Sequence, residues 1–114
     1  MSLPLHELDL DVRDGVLVAT VVGEIDLTNV TVIESGILDA ARRDRVPVVV
    51  LDISRVDYLD SAAFAAVHRM TAVVPVRLVL APSATVYRAV TVAGLDRMAP
   101  TYDTVDAALQ AAAG

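Results

Sequence analysis

The stretch VVVLDISRVDYLDSAAFAAVHRM, Val48–Met70, changes periodicity at its centre. Its first part, VVVLDI, is a near-continuous run rich in β-branched residues, which suits a strand buried on both faces. Its last part places Phe64, Val67 and Met70 at helical spacing, continued by Thr71 and Val74. The strand hands over to the helix at Ser61, directly after Asp60. A hydroxyl at such a handover can cap the helix, act as a nucleophile, or accept a group that another protein transfers.

Working outward, Pro47 cannot continue a preceding helix and Pro75 closes the following one, so the strand and helix are well bounded. Upstream, HELDLDV at residues 6–12 alternates with period two, Asp14-Gly15 is a hairpin turn signal, and VLVATVV at residues 16–22 reads as a buried strand ended by Gly23–Asp26. Thr28 is placed to cap a helix with Val30, Ile33, Ile37, Leu38 and Ala41 on its apolar side, and Gly36 inside it costs about 1 kcal/mol against alanine.

Downstream, Val76–Leu80 is a third buried strand, and Pro82-Ser83 opens a helix carrying Val86, Val90 and Ala93, with Gly94 as its stop. A short strand is expected within residues 97–102. Asp103, with Asp106 behind it, is placed to cap a final helix, VDAALQAAA. The order β-β-α-β-α-β-α-(β)-α predicts one α/β domain over residues 1–114: a mostly parallel central sheet, an N-terminal β-hairpin, about four helices and right-handed crossovers.

Composition bounds the function. A chain of 114 residues with 55% hydrophobic content builds one core. The net charge is -6 and lysine is absent, which argues against nucleic-acid binding. There is no cysteine, hence no disulfide framework, and a reducing cytoplasm is compatible. The N-terminal MSLPLHELDLDV lacks a signal-peptide pattern, and His68 and Arg69 interrupt the longest apolar run, so no membrane insertion is expected.

Intrinsic catalysis finds few candidates. A serine nucleophile needs a base and an orienting group, and the two histidines, His6 and His68, stand on a first strand and two helical turns beyond Ser61. Alanines fill the positions after Ser61 where a nucleophile elbow has glycine, and no glycine-rich loop with a lysine exists to cradle phosphate. Asp26, Asp52, Asp57 and Asp60 are the acids at strand ends; such acids ordinarily cap helices or brace turns, so no metal is expected. The receiver-domain pattern, which VVVLDIS superficially suggests, requires an acidic pair after the first strand and a later lysine, and both are missing. No polar cluster converging on an apolar pocket is readable, which leaves little for small-ligand binding. At Ser61 two readings stay open: a structural N-cap, or an acceptor of phosphate beside the anion-favouring start of a helix.

GEID at Gly23–Asp26, VVVLDISRVDYLDSAAF at Val48–Phe64 and APSATVYRAVTVAGLDRM at Ala81–Met98 together resemble the STAS domains of bacterial anti-sigma factor antagonists, over about residues 6–112. The family pattern has G-E-[LI]-D ending the second strand and D-S-[ST]-G-[LI] opening the second helix. The resemblance implies that Ser61 is the phosphoacceptor, modified by a partner anti-sigma factor that is also a kinase. It also implies a partner-binding surface of Asp26, Leu27, Thr28, Asp60, Ala62, Ala63 and Phe64. The unmodified domain would hold the anti-sigma factor and free a sigma factor; the modified one would let go, and a phosphatase would reset it. Nucleotide and magnesium belong to the kinase, so this domain needs no cofactor, is no enzyme itself, and is expected as a monomer or weak homodimer in the cytoplasm.

Two features depart from the family pattern. Ala62 and Ala63 stand where a hydroxyl residue and glycine are usual, and the second helix runs straight into Pro75 without a charged, glycine-containing turn. They motivate the alternative of an unphosphorylated STAS interaction module in another assembly, such as a sensory complex or a lipid-transport machine. Structurally, Ser61 should lie accessible at a helix start, and residues 25–28 and 60–64 should form one patch. The core should contain Val18, Val22, Ile33, Ile37, Val49, Leu51, Val67 and Leu80. An outward Phe64 would be a partner contact.

Overall fold

A computed structural model describes residues 6–111. Strands β1 (His6–Arg13) and β2 (Val16–Ile25) pair antiparallel across Asp14-Gly15. Both turn residues take positive φ, 54° and 76°, the left-handed pair that a two-residue hairpin matched to strand twist requires. Parallel pairing then adds β3 (Val49–Leu59), β4 (Val76–Val79) and β5 (Thr101–Tyr102), in the spatial order β1-β2-β3-β4-β5. The crossovers are α1 (Val30–Asp44), α2 (Ser61–Thr71), and α3 (Tyr87–Val92) with α4 (Leu95–Met98); α5 (Val105–Gln110) follows β5. The predicted single α/β domain with a mostly parallel sheet is the observed one.

The period of two divides the sheet into faces of unequal cover. Leu17, Ala19, Val21 and Ile25 of β2 join Leu51 and Ile53 of β3 under α1 and α2, in the main core with Ile33, Ile37, Ala63, Ala66, Val67 and Met70. The opposite face buries a smaller cluster, Val18, Val50, Val79 and Ala108, beneath α5, which packs on β3, β4 and β5. Of the expected core residues, Val18, Ile33, Ile37, Val49, Leu51, Val67 and Leu80 are buried. Val22 is half-buried instead. It shares the face of Val18 but pairs with Glu7 of the edge strand, away from α5, and Val21 takes the core position.

Several boundaries differ from expectation. The segment GEI continues β2 rather than ending it, and β3 runs on past VVVLDI through RVDYL, because register shifts at Thr20/Val22 and Gly23/Glu24 keep the two strands paired to Ile25↔Leu59. Gly23 takes φ 102° there, a conformation open to glycine. Residues after Pro82 form turns before α3, the expected stop at Gly94 (φ 79°) ends α3, and an unforeseen short helix, α4, follows it, so the described residues form five helices. The expected strand over residues 97–102 shrinks to Thr101–Tyr102, since α4 runs to Met98. Thr104, not Asp103, caps α5: its hydroxyl accepts from the Ala107 N–H at 3.1 Å, because its own backbone is extended where a cap must be. The last helix ends at Gln110, one residue short of the last described position of its expected span, Ala111, and residues 112–113 of that span lie outside the described residues. Gly36 in α1 has a packing reason: a Cβ there would stand 3.2 Å from Leu8 Cδ2 of β1.

Candidate functional site

Two strand-to-helix junctions, β2–α1 and β3–α2, lie side by side because β2 and β3 are parallel neighbours whose pairing runs to their last residues. Asp60 joins them. Its N–H donates to the Ile25 carbonyl at 3.3 Å, its Oδ2 accepts from the Leu27 N–H at 3.1 Å, and its Oδ1 accepts from the Ala63 N–H at 3.1 Å. The expected contiguity of residues 25–28 with residues 60–64 is therefore built from hydrogen bonds.

The expectation that Ser61 caps α2 is corrected. Asp60 is the cap, with extended backbone (φ -106°, ψ -176°), and Ser61 is the first helical residue. Asp and Ser cap equally well, so the residue whose backbone is still extended takes the role. Ser61 is exposed, and among the described residues no hydrogen bond engages its hydroxyl.

At the other junction Thr28 does not cap α1 either. Asn29 precedes the helix, and no side chain bonds the first-turn N–H groups. The polar side chains brace the loop instead. Asn29, only 8% exposed, donates from Nδ2 to the Glu24 carbonyl at 2.8 Å and accepts at Oδ1 from the Asp26 N–H at 3.0 Å. His6 Nδ1 lies 3.2 Å from Asn29 Nδ2. Asp26 Oδ1 accepts from the Thr28 hydroxyl and from the Thr28 N–H at 2.9 Å. The Thr28 hydroxyl bond is the main reason that the Asp26 carboxyl titrates below its ordinary range; partial burial opposes it, and the Thr28 and Asn29 backbone and the nearby His6 support it.

Leu27 projects from this braced loop with 77% of its surface exposed, and Tyr58, paired with Glu24 at the end of β3, is also exposed. Ala62 and Phe64 are half-buried, with Phe64 packed against the core beside Leu59 and Val67. Ala63 is 2% exposed. It belongs to the core, so its side chain presents no surface to a partner and drops out of the expected contact set.

The other candidates do not converge here. Asp52 Oδ1 accepts from the Ser54 N–H at 3.0 Å and from the Ser54 hydroxyl. His68 is exposed with Nδ1 2.8 Å from Met98 Sδ, and His6 stands against Asn29. Among the described residues no group of three or more His, Cys, Asp or Glu side chains is arranged to hold a metal, and no helix is long and apolar enough to cross a membrane. The void between α1 and α2 beneath Phe64 amounts to about 20 Å³ and presents only apolar surface, the Glu34 carboxylate being taken up by Arg69. That is room for one water and no polar group to orient a metabolite. Sequence reasoning missed Asn29 and the bridging part of Asp60; a lone asparagine just before an apolar helix was the available signal for the first.

The STAS domain family model matches residues 7–108, which is most of the chain. The chain belongs to the STAS domain family. An anti-sigma factor antagonist from Mycobacterium paratuberculosis is 31% identical, with a TM-score of 0.81 and 96% of each chain covered. The anti-sigma factor antagonist SpoIIAA in its unphosphorylated form is 25% identical, with a TM-score of 0.69 over 90% of this chain and 93% of that one. The Bacillus cell fate determinant SpoIIAA in the phosphorylated form shares the fold at 22% identity and a TM-score of 0.58, covering 90% of this chain and 96% of that one. No protein of curated function matches the chain by sequence. The fold expected for this STAS domain and its likeness to anti-sigma factor antagonists thus stand on most of the chain.

Proposed function

We propose that this STAS domain is an anti-sigma factor antagonist switched off by phosphorylation of Ser61. The observation that carries the proposal is the bare Ser61 hydroxyl at the start of α2, with Asp60 already holding the cap. Because no hydrogen bond among the described residues depends on that hydroxyl, modifying it breaks none of them. The similarity to SpoIIAA, known in unphosphorylated and phosphorylated forms, supports the same assignment.

The chain supplies the acceptor and the docking surface; an anti-sigma factor kinase supplies nucleotide, magnesium and base. Ser61 Oγ attacks the γ-phosphorus of ATP, the bond from that phosphorus to the β–γ bridging oxygen breaks, ADP leaves, and the hydroxyl proton passes to the kinase's base. Asp26, Leu27, Thr28, Asp60, Ala62 and Phe64 form or flank the docking surface, with Leu27 as its exposed apolar anchor. The family's glycine at the position of Ala63 raises no obstacle, because the alanine methyl points into the core and leaves the approach open.

Phosphate on Ser61 adds roughly two negative charges beside Asp60 and near Asp26. Forced into a close interface, such a charge costs several kcal/mol when left unpaired, and each 1.4 kcal/mol is a factor of ten in affinity. The modified domain therefore releases its partner, the anti-sigma factor recaptures its sigma factor, and a phosphatase restores the hydroxyl. Such a cycle places the protein in the cytoplasm, with the transcription machinery.

Incubation with ATP and an anti-sigma factor kinase of the same organism should place one phosphate on the chain, at Ser61, and none on Ser61→Ala. Ser61→Asp should bind that kinase at least about a hundredfold more weakly than wild type, while Ser61→Ala stays bound. Equal binding of Ser61→Asp and wild type by calorimetry would overturn the switch.

A further inference from the structure

We infer that Asp60 is the positioning residue of this surface: its carboxylate latches the β2–α1 loop to the start of α2, so that Leu27 and Ser61 reach a partner as one rigid unit. The part concerning the partner rests on the antagonist reading; the latch itself does not.

The two carboxylate oxygens are divided between two elements. Oδ1 holds the Ala63 N–H within its own helix start, and Oδ2 holds the Leu27 N–H, 33 residues away in sequence. Leu27 is 77% exposed, so side-chain packing does little to place it. Its backbone is held at its own N–H by Asp60 and on either side by the bonds of Asp26 with Asn29 and Thr28. An exposed apolar side chain adds affinity only to the extent that its loop is ordered before docking, since ordering on contact is subtracted from the gain. Asp60, one residue from the acceptor hydroxyl, supplies that order by touching backbone on both sides. Its carboxylate is thus engaged within the molecule, and its contribution to binding comes through Leu27 and Ser61.

Single substitutions separate the latch from the cap. Asp60→Asn keeps an oxygen for the Ala63 N–H but turns an amide N–H toward that of Leu27, so the cap survives and the latch is lost. Asp60→Ser does the same by shortness, its one hydroxyl reaching Ala63 and not Leu27. Both residues are strong caps, so both variants fold.

Amide exchange followed by NMR on the free variants should show the Leu27 N–H exchanging about tenfold faster or more, with the N–H groups of β2 and the later turns of α1 unchanged. With a purified anti-sigma factor kinase that binds the wild-type chain, both variants should bind about tenfold more weakly. The KM for Ser61 phosphorylation should rise in proportion while kcat stays within about twofold, as lost docking rather than lost chemistry requires. Unchanged Leu27 exchange in both variants overturns the latch. Faster exchange with unchanged affinity and KM overturns its part in docking and leaves the antagonist reading standing. A wild-type chain that binds no anti-sigma factor kinase of its organism overturns the antagonist reading and the docking part with it, while the exchange measurement still decides the latch.

Discussion

The two junctions that meet beside Ser61 use their polar residues in opposite ways. At β2–α1, Asn29 and Asp26 turn back on their own loop, bonding Glu24, Asp26 and Thr28, and the first turn of α1 is left without a side-chain cap. At β3–α2, Asp60 caps its helix and reaches across to the neighbouring loop. One junction is braced from within and the other does the bracing. The chain thereby holds an exposed apolar residue and an exposed hydroxyl together without committing either side chain to the fold.

The inner brace should be the costlier to break. Asn29→Ala leaves the Glu24 carbonyl and the Asp26 N–H, both only partly open to water, without their partner. Removing one member of a buried hydrogen-bonded set costs about 1–3 kcal/mol per orphaned group, so a loss of about 2–3 kcal/mol is expected in urea unfolding. A loss under about 0.5 kcal/mol would mean that water replaces Asn29 freely, and that the β2–α1 loop is not braced from within.

Next in size is the outer brace. Asp60→Ala removes the cap and the latch together and should cost about 1–2 kcal/mol, most of it the cap. Asp60→Asn, which keeps the cap, should recover most of that stability. Equal destabilisation by the two variants would assign the energy to the cross-loop bond rather than to the helix start.

The contrast between the junctions also marks how far the sequence could be read. The order of elements along the chain, the hairpin and the mostly parallel sheet followed from periodicity and from Asp14-Gly15, because those signals are spread over many residues. The junctions did not, because there the outcome depends on single residues with near-equal preferences. Asp60 and Ser61 are both good caps and adjacent, and only the extended backbone at Asp60 decides between them. The expected apolar stripe of α2, through Phe64, Val67, Met70, Thr71 and Val74, gave large side chains the weight. The observed one runs Ala63, Ala66, Val67 and Met70, a cleaner i, i+3, i+4, i+7 series made partly of alanines. That difference in helix rotation moves Ala63 from the surface to the core and removes the apparent conflict with the family's glycine. The late end of β3 was hidden for a related reason: the register shifts interrupt strict alternation in RVDYL, so periodicity carried the strand only through VVVLDI.

The smallest expected effect isolates the Asp26–Thr28 bond within the inner brace. The Thr28 hydroxyl is the leading cause that keeps the Asp26 carboxyl below its ordinary range in the folded chain. A carboxyl whose pKa is lower folded than unfolded binds fewer protons in the native state, so its contribution is complete above the ordinary carboxylate value and fades as pH falls through the folded one. Thr28→Val removes the hydroxyl but keeps the backbone bond from residue 28 to Asp26, and Thr28 is exposed, so little else changes. At pH 7 the variant should melt about one or two degrees below wild type, and the gap should close as the pH is lowered through the acid range where Asp26 takes up its proton. A gap that stays constant down to acid would trace the loss to the exposed methyl that replaces the hydroxyl, rather than to the bond with Asp26. The hydroxyl would then lose its part in bracing this junction, and the Asp26 carboxylate would brace it through the Thr28 N–H alone.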